Sequence, residues 1–131
     1  MKPVPLFGFA LVCAGLLSCF SERQATGPIV QTGDCRIPIS SPAAGTVVVM
    51  IKNFAYVPEQ LSIKSGVKVT WVNCDDPGGD SHTSTSDNGI WTSPNLASGE
   101  SYSRAFDDPA GTVFSYHCVP HPFMKGTINI E

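Results

Sequence analysis

Three side chains that bind soft metal ions stand within seven residues: the thiol of Cys118, the imidazole of His121 and the thioether of Met124, in Cys118-Val119-Pro120-His121-Pro122-Phe123-Met124. Thiolate and thioether select copper over harder ions. Two histidines and a cysteine beneath a weak axial methionine form the ligand set of blue-copper electron-transfer sites. A second histidine is therefore required, and the chain of 131 residues has three. His117 precedes Cys118 in an alternating run, Phe114-Ser115-Tyr116-His117-Cys118. Side chains alternate along a strand, so His117 points to the face opposite Cys118. His82 is left as the fourth ligand.

Other chemistries use these residues less completely. A zinc site takes cysteine, histidine or carboxylate and gives Met124 no role. A Cys-His nucleophilic pair needs a third group to orient the base, whereas Pro120 and Pro122 fix this loop around a chelate. A copper enzyme with a second metal needs more histidines, and after His82 and His121 only His117 remains. A lone methionine or histidine would be core filler or surface; the joint spacing of all four points to one mononuclear copper.

The elements that must hold these ligands read as strands. Thr46–Ile51 is β-branched, Leu61-Ser62-Ile63 is short, and Val67–Trp71 alternates, with Ser65-Gly66 between the last two as a hairpin turn. Asp75–Asp80, with Pro77-Gly78-Gly79, is a loop leading to His82. Thr83–Ser86, Ser101–Phe106, Thr112–Cys118 and Lys125–Ile130 are extended, and no run of ten residues keeps a helical period. The expected fold is all-β: a Greek-key sandwich of seven to eight strands, its core drawn from Val69, Trp71, Phe106, Phe114, Tyr116, Ile128 and Ile130.

Composition fits a small exported domain: 15% charged residues, 12 glycines and 11 prolines favour short strands and many turns. A net charge of −3 without a Lys/Arg cluster excludes an electrostatic nucleic-acid binder. Residues 1–19 read as a signal peptide, with Lys2 as the positive segment and Val4–Leu17 as an apolar run too short to span a bilayer. Its end, Leu16-Leu17-Ser18-Cys19, resembles a bacterial lipobox with an atypical Leu17, which would put a lipid on Cys19 and make that lipid the chain's sole membrane attachment. Residues 20–45, polar and aperiodic, read as a linker with a reach of about 28 Å. With Cys13 removed, Cys19 lipidated and Cys118 on the metal, Cys35 and Cys74 remain, and in an oxidising compartment they are expected to form a disulfide.

Residues 46–131 resemble a cupredoxin of the plastocyanin/amicyanin group. The resemblance rests on Asn53-Phe54-Ala55-Tyr56-Val57-Pro58, on Gly66–Asn73 leading to the first ligand loop, on Gly111-Thr112, and on Tyr116-His117-Cys118 running into the ligand cluster. The short spacing from Cys118 to His121 and on to Met124 is amicyanin-like. It implies a cupredoxin-like fold and a type 1 copper, cycling between Cu(I) and Cu(II), on His82, Cys118, His121 and Met124. Three positions depart from the group. Thr83 stands where asparagine is frequent, which changes the bracing of the ligand loops. The stretch from Gly111 to Cys118 is one residue longer than the amicyanin pattern, as if a bulge sat at Val113 or earlier. Arg104 lies in phase with Tyr102 and Phe106, where an apolar residue is usual, and is expected to snorkel at the sandwich edge.

Function follows from the site rather than the fold. The expectation is a monomeric one-electron carrier, not an enzyme, exported to the periplasm or cell surface and working with a redox protein partner. Asp75, Asp76, Asp80 and Asp87 could steer a basic partner. The alternative is a copper delivery or scavenging protein outside the cytoplasm, but such proteins present Met- or His-rich tracts, and the only methionines here are Met1, Met50 and Met124.

Overall fold

The computed structural model describes Cys35 and residues 45–131; the signal and linker assignments fall outside these, apart from Cys35 and Gly45. The described residues form eight strands: β1 (Thr46–Lys52), β2 (Ala55–Val57), β3 (Gln60–Ile63), β4 (Val67–Asn73), β5 (Thr85–Ser86), β6 (Ser101–Phe106), β7 (Val113–His117) and β8 (Lys125–Ile130). They make two four-stranded sheets, ordered β2-β1-β4-β6 and β3-β8-β7-β5. β1 runs parallel to β4, and β3 parallel to β8; the other pairs are antiparallel. This is the expected all-β sandwich.

Strand alternation builds its interior. Val69 and Trp71 of β4 face Phe114 and Tyr116 of β7 and Ile128 and Ile130 of β8 across the gap, and with Phe106 all belong to one buried cluster. Trp71 is at the centre, packed on Trp91, Tyr102, Phe106 and Tyr116 at ring-centroid distances of 5.5–6.3 Å. Gly126 of β8 lies opposite Tyr116, and a Cβ there would come 2.3 Å from the Tyr116 Cζ. The glycine lets the tyrosine ring lie flat over β8, just below the ligand loop. Tyr56, Trp91 and Leu96 complete the core from a three-residue strand and an irregular segment, where no periodicity marks them.

The turn at Ser65-Gly66 corrects the sequence expectation. β3 pairs with β8 and β4 with β1 and β6, so these residues carry the chain from one sheet to the other rather than closing a hairpin. Gly66 adopts φ 84° and its N–H donates to the Phe106 carbonyl at 2.7 Å, which anchors the crossing. A tight hairpin forms instead at β1-β2, closed by Asn53-Phe54 with φ of 51° and 58°. A two-residue turn with both φ values positive matches strand twist. Asparagine tolerates that region; a phenylalanine there costs about 1–3 kcal/mol and marks a place where position matters.

A bulge precedes β7, where one was expected. The Gly111 N–H donates to the Ile130 carbonyl at 2.8 Å while Thr112 O accepts the Ile130 N–H at 2.9 Å, so two residues face one. With Gly111 at φ 89° this is the glycine form of a β-bulge, and regular pairing resumes at Val113. Arg104 points inward with Tyr102 and Phe106, and its guanidinium carbon lies 4.9, 4.5 and 5.6 Å from the ring centroids of Trp91, Phe106 and Phe114. Three π faces thus replace the aliphatic contact usual at this position, at up to about 2 kcal/mol for a desolvated cation.

Cys35 and Cys74 are paired, with Cα atoms 4.9 Å apart. Val48, Met50 and Val72, on the outer face of β1 and β4, form a second buried cluster with Cys74, against which Cys35 packs. The bridge therefore fastens residue 35 to the end of β4, where the chain turns into the first ligand loop.

Candidate metal centre

β7 ends at His117, and the next residue, Cys118, turns inward beneath the loop that leads to β8. Three backbone bonds shape that loop: His121 N–H to Cys118 O at 3.2 Å, Met124 N–H to His121 O at 2.9 Å, and Cys118 N–H to Met124 O at 3.2 Å. Pro120 and Pro122 have no N–H to satisfy, which leaves the loop fewer donors to pair. His82 comes from the other side. It is held in a two-bond bridge with Leu96, His82 N–H to Leu96 O at 3.1 Å and Leu96 N–H to His82 O at 2.8 Å.

The result is a convergence of three donor atoms. Cys118 Sγ lies 3.7 Å from His82 Nδ1 and 3.6 Å from His121 Nδ1, and all three ligand atoms fall within 4.8 Å of one another. His82, Cys118 and Met124 are buried and His121 is half-buried, so one imidazole edge reaches the surface. Cys118 is the one free cysteine among the described residues. Two imidazoles and a thiol, all but one imidazole edge buried, fit a borderline-to-soft ion such as copper.

The surrounding residues explain why the donors stay in place. Thr83 N–H donates to Cys118 Sγ at 3.4 Å, and the Thr83 hydroxyl accepts the Val119 N–H at 2.8 Å. The threonine thus ties the His82 segment to the Cys118 loop with a hydroxyl. Tyr56 donates its hydroxyl to the Thr83 carbonyl at 2.5 Å. Burial pushes the Tyr56 hydroxyl well above its ordinary range, with Cys118 and Tyr116 adding to the shift, so it remains a donor at any working pH. Phe54 stands edge-on to both imidazoles, with centroids 5.6 Å from His82 and 4.9 Å from His121. That contact accounts for the unusual backbone at Phe54.

His117 points away, as alternation requires, and its Nδ1 meets Asp87 Oδ1 at 2.6 Å on the surface. Sequence reasoning missed Phe54, Tyr56 and Asp75 as neighbours of the ligands. Tyr56 and Phe54 were visible only as parts of a motif, and Asp75 only as one charge in an acidic loop.

The comparisons agree with this geometry. Residues 43–131 match the family described as copper binding proteins, plastocyanin/azurin family. Amicyanin-alpha of Methylorubrum extorquens is 35% identical over 125 residues, covering 93% of this chain and 98% of that protein. Amicyanin of Paracoccus denitrificans is 33% identical over 115 residues, covering 82% of this chain and 85% of that one. Among solved structures, a purple cupredoxin from Nitrosopumilus maritimus superposes with a TM-score of 0.57 at 27% identity, over 65% of this chain and 99% of that one. A two-sheet sandwich that brings a buried thiol and two imidazoles together, matched over nearly its whole length by such relatives, belongs to the plastocyanin/azurin family of copper-binding proteins, in its amicyanin group.

Proposed function

We propose that this protein carries single electrons on one type 1 copper, which His82 Nδ1, Cys118 Sγ and His121 Nδ1 would hold together with the Met124 thioether. The observation that carries the reading is the closeness of the three donor atoms, all within 4.8 Å of one another. Bound copper supplies a one-electron couple and, through the thiolate, intense visible absorption. The chain's own part is to hold a geometry that suits both charge states. Thr83 couples the two ligand segments, the Leu96 bridge fixes His82, and the cross-bonded loop fixes Cys118 against His121. Burial of His82, Cys118 and Met124 keeps water from the donors. The buried Met50 and Met124 offer nothing to a delivery partner, and His117 is engaged with Asp87 rather than placed for a second metal, which favours a carrier over a chaperone or an enzyme.

Electrons enter and leave through the exposed edge of His121. Pro120, Pro122, Phe123 and Phe54 surround it, with Phe123 69% and Phe54 42% exposed, giving an apolar surface around the ring edge, and weak redox complexes need only small interfaces. Phe123→Glu is expected to leave the visible spectrum unchanged and to slow electron self-exchange at least about tenfold, because two copies then meet charge to charge. An undiminished rate with native colour places the port elsewhere.

The same reading places the protein outside the cytoplasm, attached to the membrane by a lipid on Cys19 and meeting a redox protein as a monomer. The support is the apolar leader ending in Leu16-Leu17-Ser18-Cys19. Wild-type protein is expected in the membrane fraction and Cys19→Ala in the soluble fraction; an unacylated native N-terminus would leave a soluble exported carrier.

A further inference from the structure

We propose that Asp75 is the positioning residue for His82 and that its carboxylate holds the reduction potential of the site down. The inference rests on copper being bound as above. Asp75 Oδ2 lies 2.9 Å from His82 Nε2, the ring nitrogen on the far side from Cys118. The His82 side chain is completely buried and that of Asp75 only 14% exposed, so this contact is not an exposed ion pair.

Asp75 is held through both its carboxylate and its backbone. Its other oxygen accepts the Asn53 N–H, in the turn that carries Phe54, at 2.8 Å. The Asp75 N–H donates to Asn73 Oδ1 at 3.0 Å, and the Asp75 carbonyl accepts the Ser98 hydroxyl at 2.6 Å. Asn73 is itself fully buried and donates to the carbonyls of Asp80 and Leu96, each at 2.9 Å. Leu96 is the bridge partner of His82, and Cys74, beside Asp75, is in the disulfide. Asp75 is thus the node where the hairpin turn, the first ligand loop and the residue-35 tether meet. Asp76, Asp80 and Asp87 are exposed and make no such contact with a ligand.

The chemistry has one sign. A carboxylate that accepts the Nε2–H fixes the tautomer that leaves the Nδ1 lone pair for metal, and it makes that nitrogen a stronger donor. A stronger donor and a nearby negative charge both favour Cu(II) over Cu(I), which lowers the potential. Asp75→Asn has the same shape, still accepts one N–H through its carbonyl oxygen, and lacks the charge.

The test uses the full-length, copper-loaded protein. Loss of such an outer partner weakens metal affinity by about 10–100-fold. If Cu(II) affinity falls tenfold more than Cu(I) affinity, the potential of Asp75→Asn rises by about 59 mV with the blue colour retained. In the proton NMR spectrum of the Cu(I) wild type, the His82 Nε2–H should be slowly exchanging and far downfield, and Asp75→Asn should move it upfield. Two blue proteins of equal potential would overturn the inference and leave the copper reading intact; a colourless wild type would overturn both. Should Asp75→Asn fail to fold, the wild-type resonance decides, and its absence refutes the carboxylate bond.

Discussion

Cys118→Ser protein, given one equivalent of Cu(II), is expected to be colourless, while Met124→Leu stays blue with a changed potential. Cys118 Sγ is the one soft donor among the three converging atoms and is equidistant, within 0.1 Å, from the two imidazole nitrogens at 3.7 and 3.6 Å. A serine hydroxyl stays protonated at neutral pH and has no thiolate orbital to donate, so the charge-transfer band and most Cu(II) affinity go with the sulfur. Met124 is buried at the end of the same loop, and as a weak thioether ligand it would tune the couple without creating the colour. The visible spectrum checks both. A blue Cys118→Ser variant, or a wild type that stays colourless and prefers zinc, would remove Cys118 from the centre of the site.

The second large effect is on stability. The Cys35–Cys74 bridge closes a loop with a sequence separation of 39, which in the chain-entropy model is worth about 4 kcal/mol. Replacing both cysteines by serine should lower the free energy of unfolding in urea by an amount of that order. The loss has a local consequence too, because Cys74 adjoins Asp75 and its hold on His82. Copper release on partial unfolding is expected to come earlier in the variant. A change below about 1 kcal/mol, or two free thiols found by mass spectrometry in protein from the exported compartment, would refute the bridge.

The parts of the molecule legible in the sequence are those where chemistry or periodicity is local. Cys118, His121 and Met124 sit in one short loop, and the alternation of Phe114, Tyr116 and Cys118 tells inside from outside, so His117 could be set apart and His82 identified by elimination. The bulge at Gly111-Thr112 was legible for the same reason, since one residue too many in a strand must be absorbed without changing its parity. Ser65-Gly66 misled because two short strands around a turn look alike whether they pair or part. What decides is the partner each finds elsewhere: β8 takes Leu61 and Ile63, and β1 and β6 take Val69 and Trp71.

Contacts across the sandwich leave no trace in spacing. Asp75 is seven residues before His82 in a loop that reads as solvated charge, and only the fold shows one carboxylate turned inward while Asp76 and Asp80 stay out. Phe54 reaches the imidazoles from a turn whose φ is atypical for its side chain. Arg104 keeps its inward phase despite its charge because rings from three separate segments, Trp91, Phe106 and Phe114, receive its guanidinium.

Voltammetry of the copper-loaded protein, combined with a metal-transfer assay to an apo-acceptor, tests electron carriage most directly. A carrier with donors already placed by Thr83, Leu96 and the ligand loop is expected to give a reversible one-electron wave, rapid exchange, and copper retained in both oxidation states through many cycles. An irreversible wave, with copper lost on reduction and taken up by the acceptor, would contradict it and identify a delivery protein instead.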